Sequence, residues 1–354
     1  MIPLVVPAMS DAGGRFVARL VDATDIGPHD ARLLGTTDGE ALFAGENGLF
    51  SIATPHALIG DIVCVDPRRK TAERLIRAGS PHNTFLVTEQ CDQLCLMCSQ
   101  PPKKSHDDRF VEYAQAIRLA PANIVIGLSG GEPTLHKEAL FALLEEAATD
   151  RPDLFFHILS NGQHFEASDV PRIAATSRNT LWGIPLYSHD PATHDAIVAK
   201  PGAYERLLDS LVHCLSGGMN IELRTVLLQD NLDHLPALAR LVGDHIAFVG
   251  QWSIMQLENI GFARNRFASL YVDHARNFAP LGEAIDIATL FGVPVALFNM
   301  PRCSVPPAYR SFAAASISDW KRKYPDACDP CSQKPDCSGF FAWHPDTHME
   351  VMPL

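Results

Sequence analysis

The chain has 354 residues, 47% of them hydrophobic and 20% charged, enough apolar material for one barrel-sized domain with one or two smaller appendages. Its formal net charge of −12 argues against nucleic acid as the main partner, because phosphate binding needs a basic face. The opening Met1-Ile-Pro-Leu-Val-Val-Pro-Ala-Met9 lacks a basic n-region and no apolar run approaches a membrane span, so nine cysteines predict a cytoplasmic, metal-using protein rather than a disulfide scaffold.

Residues 1–82 hold short β-type runs separated by Gly, Asp and Pro turn signals. Arg15-Phe-Val-Ala-Arg-Leu-Val21, Ala41-Leu-Phe43 and Asp61-Ile-Val-Cys-Val-Asp66 are the clearest. They predict a small, mostly β domain, with Cys64 a buried structural thiol on the face of Ile62. Arg68-Arg69-Lys70 reads as a solvated turn. The β content suggests one use for such a domain, the edge-on capture of a peptide by strand addition.

From Thr84 the period changes. Strand-length apolar runs at 84–88, 123–128, 154–159, 181–186, 221–228, 252–257 and 293–298 alternate with amphipathic helices. Leu140, Leu143, Leu144 and Ala147 share one helix face, and Leu208, Leu211, Val212 and Leu215 share another; Cys214 lies on that second helix as a core residue. Strand–helix repetition implies right-handed crossovers and a parallel sheet. The fold class is therefore α/β: a partial (β/α)6 TIM-type barrel over 83–298, with a small β-rich N-terminal domain before it and a cysteine-rich extension over 299–354. In such a barrel the chemistry sits at the carboxyl ends of the strands.

The first strand of this series ends at Cys91-Asp-Gln-Leu-Cys95-Leu-Met-Cys98. Three thiols in a tight loop hold three corners of a cubic iron–sulfur cluster, and no fourth follows nearby. One iron is then left open for another ligand, as a catalytic zinc keeps an open position. A zinc loop or a redox-sensing thiol trio are the other readings of the spacing alone. The second strand ends in Leu128-Ser-Gly-Gly-Glu-Pro-Thr134, where two glycines let the backbone approach a ligand closely and Glu132 offers a carboxylate to a cation.

The C-x3-C-x2-C loop followed by this Gly-Gly-Glu strand end resembles the radical S-adenosylmethionine (radical SAM) family. The resemblance covers about residues 84–298. It implies that Cys91, Cys95 and Cys98 hold a [4Fe–4S] cluster whose open iron is chelated by S-adenosylmethionine (SAM). It further implies reductive cleavage of SAM to a 5′-deoxyadenosyl radical, with the electron coming from an external one-electron donor. By the same resemblance, Gly130, Gly131 and Glu132 bind the methionyl amino group. The family usually has an aromatic residue before the third cysteine; this chain has Met97, whose backbone reaches the adenine. Ser160 and Asn161, at the third strand end, correspond to ribose or carboxylate contacts, or to a plain Asn-Gly turn. Arg224 on the fifth strand pairs either with the SAM carboxylate or with an internal acid. Met255 and Leu257 on the sixth strand fall where the family contacts adenine. His189 and His194 read as helix-start and surface residues rather than catalysts. Tyr187 is a candidate donor without support, and the catalytic side chain is unassigned.

Cys303, Cys328, Cys331 and Cys337 form a second constellation. Four thiolates complete a tetrahedral zinc site or an entire [4Fe–4S] cluster, and sequence does not separate the two. Peptide-modifying radical SAM enzymes often carry such extensions, of the SPASM or twitch type. With three cysteines in the first loop and four here, only Cys64 and Cys214 of the nine remain, so one auxiliary [4Fe–4S] cluster is expected, with zinc the alternative. Phe340-Phe-Ala-Trp343 is expected to pack the extension onto the barrel.

A narrower resemblance rests on His82-Asn-Thr-Phe-Leu-Val-Thr-Glu89, Cys95-Leu-Met-Cys98-Ser-Gln-Pro-Pro-Lys103 and Cys328-Asp-Pro-Cys331. These stretches are similar to the radical SAM maturases of the His-Xaa-Ser system, the HxsC group. That implies a ribosomally made precursor peptide with His-Xaa-Ser repeats as substrate, and a partner maturase beside it. Two other classes stay open: a radical SAM enzyme acting on a small metabolite or RNA, and a non-enzymatic zinc-stapled interaction module.

Overall fold

The computed structural model describes residues 2–348 and 351–354. It divides into two compact units. One comprises Met1–Val87, Asp107–Ser129 and His136–His157; the other comprises Thr88–His106, Gly130–Leu135 and Ile158–Leu354.

Seven strands close a barrel in the first unit: β1 (Val5–Ser10), β2 (Phe16–Val21), β3 (Asp30–Thr37), β4 (Glu40–Gly45), β5 (Gly48–Ala53), β6 (Ile62–Asp66) and β7 (Thr71–Ile76). Their order is β1-β5-β4-β3-β2-β6-β7, with β7 returning to β1. Alternate residues fill the interior, among them Val6, Phe16, Leu20, Phe43, Phe50, Ile52, Val63 and Val65. Phe43 stacks on Phe50 at 5.5 Å between ring centres, and Phe16 meets Phe50 edge-on at 5.3 Å. β3 and β4 join through Asp38-Gly39, both at positive φ, the two-residue hairpin chemistry expected of Asp-Gly. Closure pairs every strand on both sides, so the strand addition suggested by β content has no free edge to use. Cys64 is buried on β6, as its run implied.

The second sheet has seven strands in sequential order: β8 (Asn83–Thr88), β9 (Val125–Gly130), β10 (Phe155–Leu159), β11 (Thr180–Pro185), β12 (Ile221–Val226), β13 (Gln251–Met255) and β14 (Val295–Phe298). β11 to β14 pair in parallel, and β8 and β14 stay unjoined at the two ends, which makes the barrel partial. The crossovers carry α1 (Phe110–Leu119), α2 (Lys137–Asp150), α3 (Val170–Thr176), α4 (Pro191–Val198), α5 (Ala203–Ser216), α6 (Leu235–His245), α7 (Phe267–Leu270) and α8 (Ala279–Leu290). A two-stranded ribbon, β15 (Arg322–Lys323) with β16 (Phe340–Phe341), lies in the C-terminal segment. The architecture is thus α/β, with a partial barrel and a separate β-rich N-terminal domain.

α2 buries Leu140, Leu143, Leu144 and Ala147, the face read from its period. α5 corrects its reading: it buries Leu207, Ser210, Leu211 and Cys214, while Val212 and Leu215 are exposed. Leucine and valine on two adjoining stripes made its phase ambiguous. The Ser210 hydroxyl, which accepts from Phe165 N at 3.0 Å, belongs to the buried stripe. Among the described residues no helix is long and apolar enough to cross a membrane.

Candidate active site

The cysteine loop follows β8 and is tied down by its backbone. Leu94 N donates to Val198 O at 3.2 Å, Leu96 N to Ile197 O at 2.9 Å, and Phe262 N to Cys98 O at 2.9 Å. Gly261, at φ 60°, lets its segment lie against the Cys98 and Ser99 carbonyls, where a Cβ would collide. Cys91, Cys95 and Cys98 are half-buried. Burial, reinforced by neighbouring negative groups including other thiols of the trio, pushes Cys91 and Cys95 up to about 12. Such thiols become thiolates when a cation takes their charge, the usual coupling of metal binding to deprotonation. Gln93 N donates to Cys91 Sγ at 3.4 Å and Cys98 Sγ donates to Gln100 O at 3.0 Å.

The end of β9 presses against this loop's approach. Gly131 N donates to Thr88 O at 2.8 Å and Glu132 N to Gln90 O at 2.7 Å. A Cβ on Gly130, which has φ 149°, would strike Thr88 O, and one on Gly131 would strike Gln90 O. Both glycines are therefore required by contact between backbones. Glu132 is fully buried. Its Oε1 accepts from Thr134 N at 2.9 Å, Thr134 Oγ1 at 2.5 Å and Ser160 Oγ at 2.9 Å; its Oε2 accepts from Asn161 N at 2.5 Å. Burial raises its pKa, and these four donors oppose that rise.

Asn161 continues the network. Its Nδ2 donates to Asp92 Oδ1 at 2.8 Å. Asp92 also pairs with Lys200 and, at 3.1 Å, with His164. Burial works against the charge on Asp92, yet hydrogen bonds from His164 and Lys200 hold it well below the usual carboxylate range. The carboxylate thus stitches the cysteine loop to the rim after β10 and to the turn after α4. That turn is itself well specified: Asp190 caps α4 by accepting from Thr193 N at 2.8 Å, Pro191 starts the helix, and Ala199 ends it in the left-handed region.

Met97, Tyr187 and Leu257 belong to one buried apolar cluster that packs against Cys95. Arg224 donates to Glu222 Oε2 at 2.7 Å and approaches Met255 Sδ at 3.5 Å, so of its two expected partners the structure shows the internal acid. His194 corrects its reading as a surface residue. It is buried in α4, its Nδ1 accepts from Tyr187 N at 3.3 Å, and burial pushes it down to about 4. His189 is exposed, as read.

Cys303, Cys328, Cys331 and Cys337 come together around one hollow, with Tyr324 and Leu354 beside them. Their sulfurs receive backbone donors: Arg302 N and Gly339 N on Cys337 at 3.4 Å, and Leu354 N on Cys331 at 3.5 Å. Among the described residues no three His, Cys, Asp or Glu side chains stand close enough together to hold a single metal ion. Phe340 and Phe341 are buried, and they share a cavity wall with Gln256 and Asn299 from the ends of β13 and β14.

Comparison with known proteins adds to this geometry. The model of the radical SAM superfamily matches residues 85–242. That stretch is similar to a radical SAM domain. The chain is 31% identical over 150 residues to the pre-heme d1 synthase of Dinoroseobacter shibae, covering 40% of this chain and 36% of that protein. It is 24% identical over 220 residues to the Fe-coproporphyrin III synthase of Methanosarcina barkeri, covering 58% and 54%. The chain therefore spans between about a third and a half of these curated relatives. Among solved structures, SuiB of Streptococcus suis bound to S-adenosylmethionine shares the fold, with a TM-score of 0.50, 14% identity, and coverage of 60% of this chain and 49% of SuiB.

The matched stretch contains Cys91, Cys95, Cys98, Met97, Gly130, Gly131, Glu132, Ser160, Asn161 and Arg224; Met255 and Leu257 follow it in the same sheet and the strand end beyond. Sequence reasoning missed Asp92, His164 and Lys200. Only Asp92, inside the motif, carried a signal, since Lys200 meets it 108 residues later in the chain.

Proposed function

We propose that the protein is a radical SAM enzyme that modifies a ribosomally synthesised peptide. The observation that carries the enzyme reading is the meeting of three half-buried thiols, with no fourth in their loop, and the buried Glu132 carboxylate on adjoining strand ends. Cys91, Cys95 and Cys98 would hold a [4Fe–4S] cluster with an open iron, and Gly130, Gly131 and Glu132 would receive the methionyl amino group of SAM. Bound there, the cofactors would supply one-electron reductive cleavage of SAM, with the electron from an external donor. The protein's own share is orientation and exclusion of water. Glu132 is fixed by four donors, Met97 and Leu257 offer apolar walls to an adenine, and Ser160 and Asn161 hold Glu132 and Asp92 in place.

The peptide substrate is supported by the three stretches similar to the HxsC maturases and by the four C-terminal thiols. Those thiols line one hollow and would hold an auxiliary [4Fe–4S] cluster, with zinc the alternative. A partner maturase belongs to the same reading. A second reading, a tetrapyrrole substrate, is favoured by the two curated relatives.

The test uses anaerobically reconstituted, reduced protein with SAM. Formation of 5′-deoxyadenosine, together with a SAM-dependent mass change in a peptide of His-Xaa-Ser repeats, is the expected result. SAM-dependent conversion of an added tetrapyrrole, with an unaltered peptide, would transfer the assignment to the second reading. No 5′-deoxyadenosine at all would leave a zinc-stapled interaction module.

A further inference from the structure

A cavity of about 440 Å³ opens at the carboxyl ends of β13 and β14, and of the residues so far assigned to SAM it is Leu257 that lines it. Its wall includes Gln229, Gln256, Tyr271, His274, Asn299 and Phe341. Leu257 belongs both to this wall and to the apolar cluster under the cysteine loop. Pro301 and Phe340 belong both to this wall and to that of the hollow ringed by Cys303, Cys328, Cys331 and Cys337. The cavity therefore shares wall residues with the hollow of the C-terminal thiols and one residue with the apolar cluster that packs against Cys95.

The polar part of the wall is built from amides and one locked imidazole. Gln256 Nε2 donates to Val272 O at 2.9 Å and to His274 Nδ1 at 2.7 Å, and its Oε1 accepts from Leu257 N at 2.7 Å. With both amide hydrogens placed, His274 must accept at Nδ1 and donate from Nε2 to Ser304 Oγ, 2.7 Å away. The Ser304 hydroxyl then donates to Pro301 O at 2.7 Å. His274 is thereby held as a neutral tautomer, and this part of the wall is rigid and uncharged. Asn299 is different. Its amide makes two long bonds, 3.4 Å to Gln256 O and 3.3 Å from Ser316 Oγ, which a better-placed ligand can replace. Gln229 spends its Nε2 on Tyr271 O at 3.0 Å. An amide side chain both donates and accepts, and its complement is another amide. Tyr271 and Phe341 add aromatic surface.

Charge on the wall is balanced. Arg276 pairs with Asp273 at 3.1 Å, and both line the cavity. A tetrapyrrole with several propionate carboxylates needs several cations to offset their desolvation. This wall offers a single arginine, already matched by an acid.

We infer that this cavity is the substrate site and that it takes an uncharged segment of peptide, held through its amides by Asn299 and Gln229 and along its side chains by Tyr271 and Phe341. The inference rests on the peptide reading above and names where and by what chemistry the peptide is bound.

Ala268 is an exposed residue on the wall, and Ala268→Trp fills the space. Binding of a fluorescein-labelled peptide of three His-Xaa-Ser repeats is measured by anisotropy on reconstituted wild type, Ala268→Trp and Asn299→Asp. Iron and sulfide content and SAM binding identify a folded variant. Wild-type binding weakened about tenfold or more in both variants is the expected result. Wild-type binding and modification of the peptide, with both folded variants binding equally well, would overturn the cavity assignment and leave the peptide reading standing. No wild-type binding of the peptide would overturn both. Capture of coproporphyrin III by wild type, abolished in Ala268→Trp, would then mark the cavity as a site of the other chemistry.

Discussion

A carboxylate cut off from water is held in place when donors positioned by the fold meet its oxygens. Glu132 meets that condition with two backbone N–H groups and two hydroxyls. Glu132→Gln places an NH2 where donors already point, stranding at least one of them. A loss of about 1–3 kcal/mol is expected. SAM affinity should fall in parallel, by about tenfold or more, in equilibrium dialysis against reconstituted protein. Gly131→Ala asks a different question, because the clash is with the Gln90 carbonyl and no side chain can yield. Overpacking of this kind costs about 1–3 kcal/mol, to be read from the urea midpoint; a variant as stable as wild type would mean that the strand end is not held against the loop. These motif residues were legible before the fold because each depends on its immediate chain neighbours. Asp92 was not, since its partners His164 and Lys200 are distant in sequence.

α4 shows how an element turns a surface-like sequence into a buried one. Asp190, Pro191 and Ala199 set its ends, and those signals are local. The burial of His194 between the rings of Tyr187 and Tyr204 is not local. Burial pushes His194 down to about 4, against the pull of Asp195. The unfolded chain, with an ordinary histidine near pH 6.5, then binds a proton between about pH 6.5 and 4 that the folded chain refuses. Stability is therefore full above about pH 6.5, declines as pH falls towards 4, and levels off below. The shift corresponds to something on the order of 3 kcal/mol. Urea midpoints across this window should fall less steeply for His194→Gln. His274, pushed to about 4 mainly by burial, should keep part of the slope. An unchanged slope would show that His194 titrates normally in the folded protein. α5 failed for a related reason: two adjoining apolar stripes satisfy the same helical period, and only packing selects Leu207, Leu211 and Cys214.

The two thiol sets make a prediction for the whole molecule. Anaerobic reconstitution should load roughly eight irons, falling to about four when Cys91, Cys95 and Cys98 are all changed to Ala. A fall from about four to none, with zinc retained, would identify the C-terminal set as a structural staple. By itself the sequence determined the α/β alternation, the strand ends, the C-x3-C-x2-C loop and the Gly-Gly-Glu strand end. All of these rest on period or on spacing within a few residues, where chain geometry leaves little choice. Only the tertiary structure decided that the N-terminal strands close without an edge. It also decided that Arg224 meets Glu222, that four cysteines spread over 35 residues ring one hollow, and that Gln256 locks His274 beside a cavity. Those outcomes depend on contacts between distant segments, which the local pattern of a chain does not encode.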